Sequence, residues 1–151
     1  MKGLVEGILW GGTLCGVLDA FAATISFAIL QVAPIRVWQN VASGLLGSKA
    51  FQMGKRSAVL GLIIHFVIAF SAATVFCVAA LKTSFVLAMP ITSGAAHGVA
   101  VFILMNLIVL PLSAMPKRPL SRTRVITQIV IHIFCVGLPI SLSASRFLQH
   151  P

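Results

Sequence analysis

The sequence predicts an all-α integral membrane protein, a four-helix bundle with a short interfacial helix between its first and second spans. Apolar residues make up 59% of the 151-residue chain, only 9% of residues are charged, and the mean hydropathy is +1.08. Soluble domains carry about 25% charged residues, so this composition favours lipid as the solvent. The apolar residues fall into four runs, each at or above the roughly 20 residues that cross a bilayer. The spans are expected at about 8–32, 58–81, 86–112 and 125–147.

The connections between these runs predict one domain over residues 1–151. The longest connection, residues 33–57, is too short to form a separate soluble domain. Within it, Val37–Phe51 has enough apolar residues to lie at a membrane surface but too few to cross one. A short interfacial helix is therefore expected between spans one and two.

The basic residues of the chain predict its orientation. The net charge is +9, and eight Lys or Arg residues fall in the first and third connections against three on the side of the termini. Because Lys and Arg are retained on the cytoplasmic side, both termini are expected outside. The first group comprises Arg36, Lys49, Lys55, Arg56, Lys117, Arg118, Arg122 and Arg124, and the second Lys2, Lys82 and Arg146.

Small residues predict close helix contacts in the first and third spans. Gly12 and Gly16 are four residues apart, as are Gly94 and Gly98, the spacing that lets two membrane helices approach closely. Asp19 follows Gly16 by three residues and so shares its helix face. The Asp19 carboxyl is therefore expected to point toward protein.

One ionisable group lies inside each predicted span, and these four groups are the main candidates for function. Such a group costs several kcal/mol in hydrocarbon unless it is paired or faces a polar interior. Counting residues from the predicted span ends puts two of them near mid-membrane and two nearer the inner side, in two layers. The middle layer would contain Asp19 and His97, and the inner layer His65 and His132. Two amides, Asn106 and Gln128, complete the candidate polar site.

Several stretches together resemble a family of small uncharacterised bacterial membrane proteins with four spans. They are Val41–Gly47, Gly61–His65, Met105-Asn106 with Val109–Ala114, and His132 followed by Val136–Ile140. The resemblance covers nearly the whole chain and implies a protein of the bacterial cytoplasmic membrane. It implies no particular activity. His65 and His132 fit the family pattern, whereas an aromatic residue often stands in the place of His97.

The residues leave three hypotheses for function. The first is a non-enzymatic membrane protein whose Asp and His groups mainly hold helices together and which assembles with itself or with partners. The second is proton-coupled transport or conduction through an interior lined by Asp and His. The third is a redox protein in which His65 and His132 ligate a b-type haem.

Enzyme chemistry has little support in the sequence. Asp19 and Glu6 are the only acids, and no phosphate-binding loop or nucleophile motif is present. No cofactor or metal is therefore expected in the leading hypothesis. The basic connections are expected to meet anionic lipid headgroups and not nucleic acid. If the chain forms a pore or carrier, a homo-oligomer is expected, because four helices enclose little space.

Overall fold

The computed structural model describes residues 1–117 and 121–149 and is helical throughout, with no strand in these ranges. Four of its six α-helices are long and apolar enough to cross a membrane, as the sequence predicts. Arg118, one of the basic residues of the third connection, lies outside the described residues. The helices are α1 (Lys2–Ile29), α2 (Pro34–Leu46), α3 (Lys55–Ala80), α4 (Ser84–Ala88), α5 (Pro90–Leu112) and α6 (Arg122–Leu148).

The ends of the long helices differ from the predicted spans for local backbone reasons. Helix α1 begins six residues before the predicted span and stops before Gln31, which has a positive φ of 57°. Helix α5 begins at Pro90 because a proline disfavours helical backbone at the preceding residue, and Met89 has φ −123° and ψ 64°. Helix α6 begins earlier than predicted, since the Ser121 side chain accepts a hydrogen bond from the Arg124 N–H.

A short helix is present as α2 where one was predicted between the first two spans, followed by a 3₁₀ turn at Gly47–Gln52. Helix α2 ends at Gly47, whose φ of +58° is readily available only to glycine. The turn is held to the start of α3, because the Ser57 hydroxyl donates to the Ala50 carbonyl at 2.6 Å. The Ala114 N–H donates to the Gly44 carbonyl at 2.9 Å, which also ties the third connection to α2.

The long helices pack as antiparallel neighbours. Helix α1 lies between α3 and α6, α5 packs on α6, and α2 packs on the outer side of α3. Their shared core is made mainly of small residues, which allow close approach of the helix backbones. The buried core comprises Cys15, Ala69, Ala73, Phe76, Cys77, Ala80, Val136, Ile140 and Ala144.

Packing is uneven along the bundle axis. Helix α1 has no buried residue beyond Gly16, α5 has none beyond Phe102, and α6 has none before Val136. On each of these three helices the buried residues lie in the half on the side of the termini. The half near the first and third connections has none. For α1, α5 and α6, the half on the side of the termini is therefore the packed half and the connection-side half is the looser one. The buried residues at the connection-side end, among them Ala42, Ser43 and Ser57, lie where α2 packs on α3.

Helices α5 and α6 each contain one turn that is wider than an α-helical turn. In these wide turns, Met105–Val109 and His132–Gly137, the closing N–H groups of Leu110 and Leu138 donate to carbonyls five residues back. A proline stands two residues after each wide turn, at Pro111 and Pro139. Because a proline ring clashes with the carbonyl four residues before it, the widened turn relieves the contact without breaking the helix.

Candidate functional site

Asp19 and His65 meet where the packed half of the bundle gives way to the looser half. His65 Nε2 donates a hydrogen bond to the Gly16 carbonyl of α1 at 2.9 Å. His65 Nδ1 lies 3.9 Å from Asp19 Oδ2, within ion-pair range but beyond a hydrogen bond. The Asp19 and His65 side chains are 24% and 13% exposed. One ring thus links two helices through a backbone carbonyl and a carboxylate.

Two aromatic rings hold the His65 imidazole in place. Trp38 of α2 and Phe66 of α3 each contact it edge-on, with ring centroids 5.5 Å away. Trp38 comes this close because α2 lies directly on α3 at Gly61, where an added Cβ would overlap the Trp38 carbonyl. Helix α2 is therefore part of the wall of the site.

The expected pairing of Asp19 with His97 in one layer of ionisable groups is wrong, because Asp19 lies beside His65. Since α1 ends at Ile29, Asp19 lies ten residues from the connection-side end of its helix, as His65 and His132 do from theirs. At about 1.5 Å per residue, all three lie about 15 Å from that end. Asp19 consequently meets His65, while His97 is left nearer the other side.

His97 lies on α5, apart from the Asp19–His65 pair. Its ring centroid is 4.9 Å from that of Phe76 on α3. Its Nε2 atom is buried and has no hydrogen-bond partner in residues 1–117 or 121–149. His97 therefore contacts α3 through the Phe76 ring and the Ala72 backbone.

His132 and Asn106 make local contacts, and Gln128 takes part through its backbone carbonyl. His132 Nδ1 donates to the Gln128 backbone carbonyl of its own helix at 2.8 Å, and its ring meets Phe102 of α5 edge-on. Asn106 Nδ2 likewise donates to the Phe102 carbonyl, one turn back, at 2.9 Å. Both residues lie in the wide turns, where they supply donors to carbonyls of the preceding helical turn.

The four glycines predicted to mediate packing lie at helix contacts. A Cβ on Gly12 or Gly16 would strike the rings of Phe70 and Phe66 on α3. On α5, a Cβ at Gly94 would meet Ser141 and at Gly98 would meet the His132 carbonyl. The contacts at Gly12 and Gly16 also fix the height of α1 against α3, and so bring the Gly16 carbonyl to His65.

The cysteines add two titratable groups near the acid. Cys15 and Cys135 both lie within electrostatic range of Asp19, one from α1 and one from α6. No cluster of three or more His, Cys, Asp or Glu side chains suited to a metal occurs in the part of the chain that the structure describes. Asp19, His65 and His132 share a depth without forming such a cluster.

Comparison with known proteins adds no identification. No family model, no curated protein and no solved structure matches this chain. The site is therefore interpreted from its own geometry.

Two contributors to the site were missed by reasoning from sequence. Trp38 was expected only as part of the short helix in Val37–Phe51, and Gly16 only as a packing residue. The Gly61–His65 spacing places a small residue and the imidazole on one helix face, which could have indicated an aromatic neighbour there. A backbone acceptor such as the Gly16 carbonyl leaves no signal in residue types.

Proposed function

We propose that this chain is a non-enzymatic, multi-pass protein of the bacterial cytoplasmic membrane whose buried Asp and His groups mainly hold its helices together. The hydrogen bond from His65 Nε2 to the Gly16 carbonyl is the observation that carries this proposal. It joins α1 to α3 across the bundle, and interhelical bonds of this kind contribute about 0.6 to 2 kcal/mol each. The resemblance in sequence to small bacterial four-span proteins supports the location.

The proposed arrangement places the first and third connections in the cytoplasm and both termini outside. The exposed basic residues of those connections, including Arg36, Lys49 and Lys55, favour contact with anionic lipid headgroups. Assembly with itself or with partners is the proposed mode of action. A shallow apolar groove on the outward face of α3, lined by residues such as Phe66 and Phe70, offers a surface for helix association.

The proposal includes no haem or other cofactor. In the fold, His65 Nε2 and His132 Nδ1 already donate to backbone carbonyls, and the two rings pack against different aromatic residues. Ligation of one iron through Nε2 of both rings would break the His65 bond to the Gly16 carbonyl, whereas His132, which donates from Nδ1, would keep its bond. A haem absorption band in protein purified from haem-sufficient cells would contradict this part of the proposal.

Removing the interhelical bond tests the structural role. We expect His65→Ala to lower the free energy of unfolding by about 1–2 kcal/mol, because the Gly16 carbonyl loses its donor and the ring its packing. Chemical unfolding in detergent micelles measures this loss. His132→Ala is the matched control, since its hydrogen bond lies within one helix, and a smaller loss is expected there. Equal losses in the two variants would argue against helix linkage by His65.

A second candidate function, proton-coupled transport, is favoured by the position of the pair. Asp19 is one-quarter exposed and lies where the buried residues of α1 end, facing the looser half of the bundle. In reconstituted liposomes, this candidate requires a proton-coupled flux that Asp19→Asn abolishes while thermal stability is retained. Absence of flux in the unsubstituted protein favours the structural proposal.

A further inference from the structure

The hydrogen bond from His65 to α1 determines which ring nitrogen carries a proton. Nε2 lies 2.9 Å from the Gly16 carbonyl oxygen. A carbonyl oxygen only accepts hydrogen bonds, so Nε2 must be the donor and must carry a hydrogen. The other ring nitrogen, Nδ1, is the atom that faces Asp19 Oδ2 at 3.9 Å.

This geometry is unfavourable for a neutral histidine beside an ionised aspartate. With its hydrogen on Nε2, a neutral His65 presents the lone pair of Nδ1 to the negative oxygen of Asp19. Both atoms are then acceptors. The two side chains are mostly shielded from solvent, so little water is available to reduce the repulsion or to solvate the carboxylate.

The surroundings offer no other positive group to neutralise Asp19. Within residues 1–117 and 121–149, His65 is the one group in ion-pair range of its carboxylate. The neighbouring titratable groups are the thiols of Cys15 on α1 and Cys135 on α6. Helix α2 contributes the uncharged Trp38 ring, and its Arg36 is exposed and donates to the Phe51 carbonyl. Compensation must therefore come from a proton.

We propose that Asp19 and His65 together form a proton-binding site, which carries one proton, on Nδ1 or on the carboxylate, in addition to the hydrogen on Nε2. The proton resides on His65, giving an imidazolium and a carboxylate, or on Asp19, giving a carboxylic acid and a neutral ring. Either form has no net charge. Release of the proton leaves one negative charge and two facing acceptors. The site follows from the α1–α3 contact and does not depend on whether the protein transports anything.

The composition of the chain allows a direct test on the unsubstituted protein. Asp19 is the only aspartate, so the carboxyl signal of ¹³C-aspartate-labelled protein reports on this residue alone. The chain has four histidines, and a through-space correlation from the Asp19 carboxyl to ¹⁵N-labelled rings selects His65 among them. The sample is the full chain in phospholipid nanodiscs near neutral pH, studied by solid-state NMR.

The proposal predicts one of two spectra, and a third spectrum would contradict it. We expect either two protonated nitrogens on the selected ring beside an ionised carboxyl, or one protonated nitrogen beside a protonated carboxyl. A single protonated nitrogen together with an ionised carboxyl would overturn the proposal.

Two substitutions separate the site from the other histidines. His132→Gln removes a ring that has a carbonyl partner but no carboxylate, and it should leave the Asp19 and His65 signals unchanged. Asp19→Asn should leave His65 neutral, with its hydrogen on Nε2. If His132→Gln removes the extra proton, the assignment to Asp19 and His65 is wrong. The main result does not require either variant to fold, because it is obtained from unsubstituted protein.

Discussion

Gly98 controls how closely α5 approaches α6. An added Cβ there would overlap the backbone carbonyl of His132, and backbone has little freedom to move aside. The same residue faces the start of the second wide turn, so pressure at this point acts on the part of α6 that carries His132. Because Gly98 has a hydrogen atom where other residues have a Cβ, α5 and α6 can pack in this close contact.

We expect Gly98→Ala to lower the free energy of unfolding by about 1–3 kcal/mol, the usual cost of forcing a methyl group into packed structure. Chemical unfolding in detergent micelles measures the change. Gly44→Ala is the matched control, because its Cβ would find only Ser113 Cβ at 3.9 Å, an ordinary contact. A loss at Gly44 as large as that at Gly98 would contradict the explanation by close approach.

Single residues also show where prediction from sequence succeeds and fails. The small-residue spacing indicates that Gly12 and Gly16 lie at a helix contact, and they do. The layer expected for Asp19 was wrong because the first two spans were expected at 8–32 and 58–81. Helix α1 ends three residues earlier, at Ile29, and α3 begins three residues earlier, at Lys55. Six residues are about 9 Å of helix, enough to place Asp19 in the wrong layer.

At the scale of elements, run length predicts the number of long helices, and capping determines their ends. The length of an apolar run carries no information about a helix cap. The fourth span was therefore expected to start at 125, three residues after the actual start of α6 at Arg122. The wide turns were also not predicted, although Pro111 and Pro139 in otherwise helical runs give a signal for them. The hydrogen-bond pattern that accommodates a proline depends on packing and cannot be obtained from periodicity.

Ser121 provides a test of this capping. We expect Ser121→Ala to destabilise the first turn of α6 by about 1 kcal/mol, because the Arg124 N–H loses its acceptor. Hydrogen exchange of the Arg124 and Val125 amides should become several-fold faster. Ser121→Asp keeps an acceptor and should preserve the slower exchange. Unchanged exchange in Ser121→Ala would show that the cap does not stabilise the turn.

For the whole molecule, the antiparallel packing puts the first and third connections at one end and the second connection with the termini at the other. The end with the first and third connections is also the looser one and bears most of the basic residues. Composition predicts this division of charge, but it does not predict the uneven packing. That unevenness depends on which small residues meet across α1, α3 and α6.

A pair of cysteine reporters tests the orientation. Ser48 lies in the first connection and Thr83 in the second, and both are exposed. In intact cells treated with a membrane-impermeant maleimide, we expect labelling of Thr83→Cys and protection of Ser48→Cys. Unsubstituted protein gives the background from the native cysteines, of which Cys15 and Cys77 are buried. The reverse pattern would place both termini in the cytoplasm.

The two wide turns have a consequence for chain length. A turn closed five residues back holds one residue more than an α-helical turn, so α6 has one surplus residue between 132 and 137. Loss of one residue within that turn removes the surplus and keeps Ile140 and Ala144 directed toward the core, but it restores the clash at Pro139 that the wide turn relieves. Loss of one residue after the turn instead rotates all that follows by about 100° and takes that face out of the core. The wide turn is therefore where α6 can best accommodate a deletion.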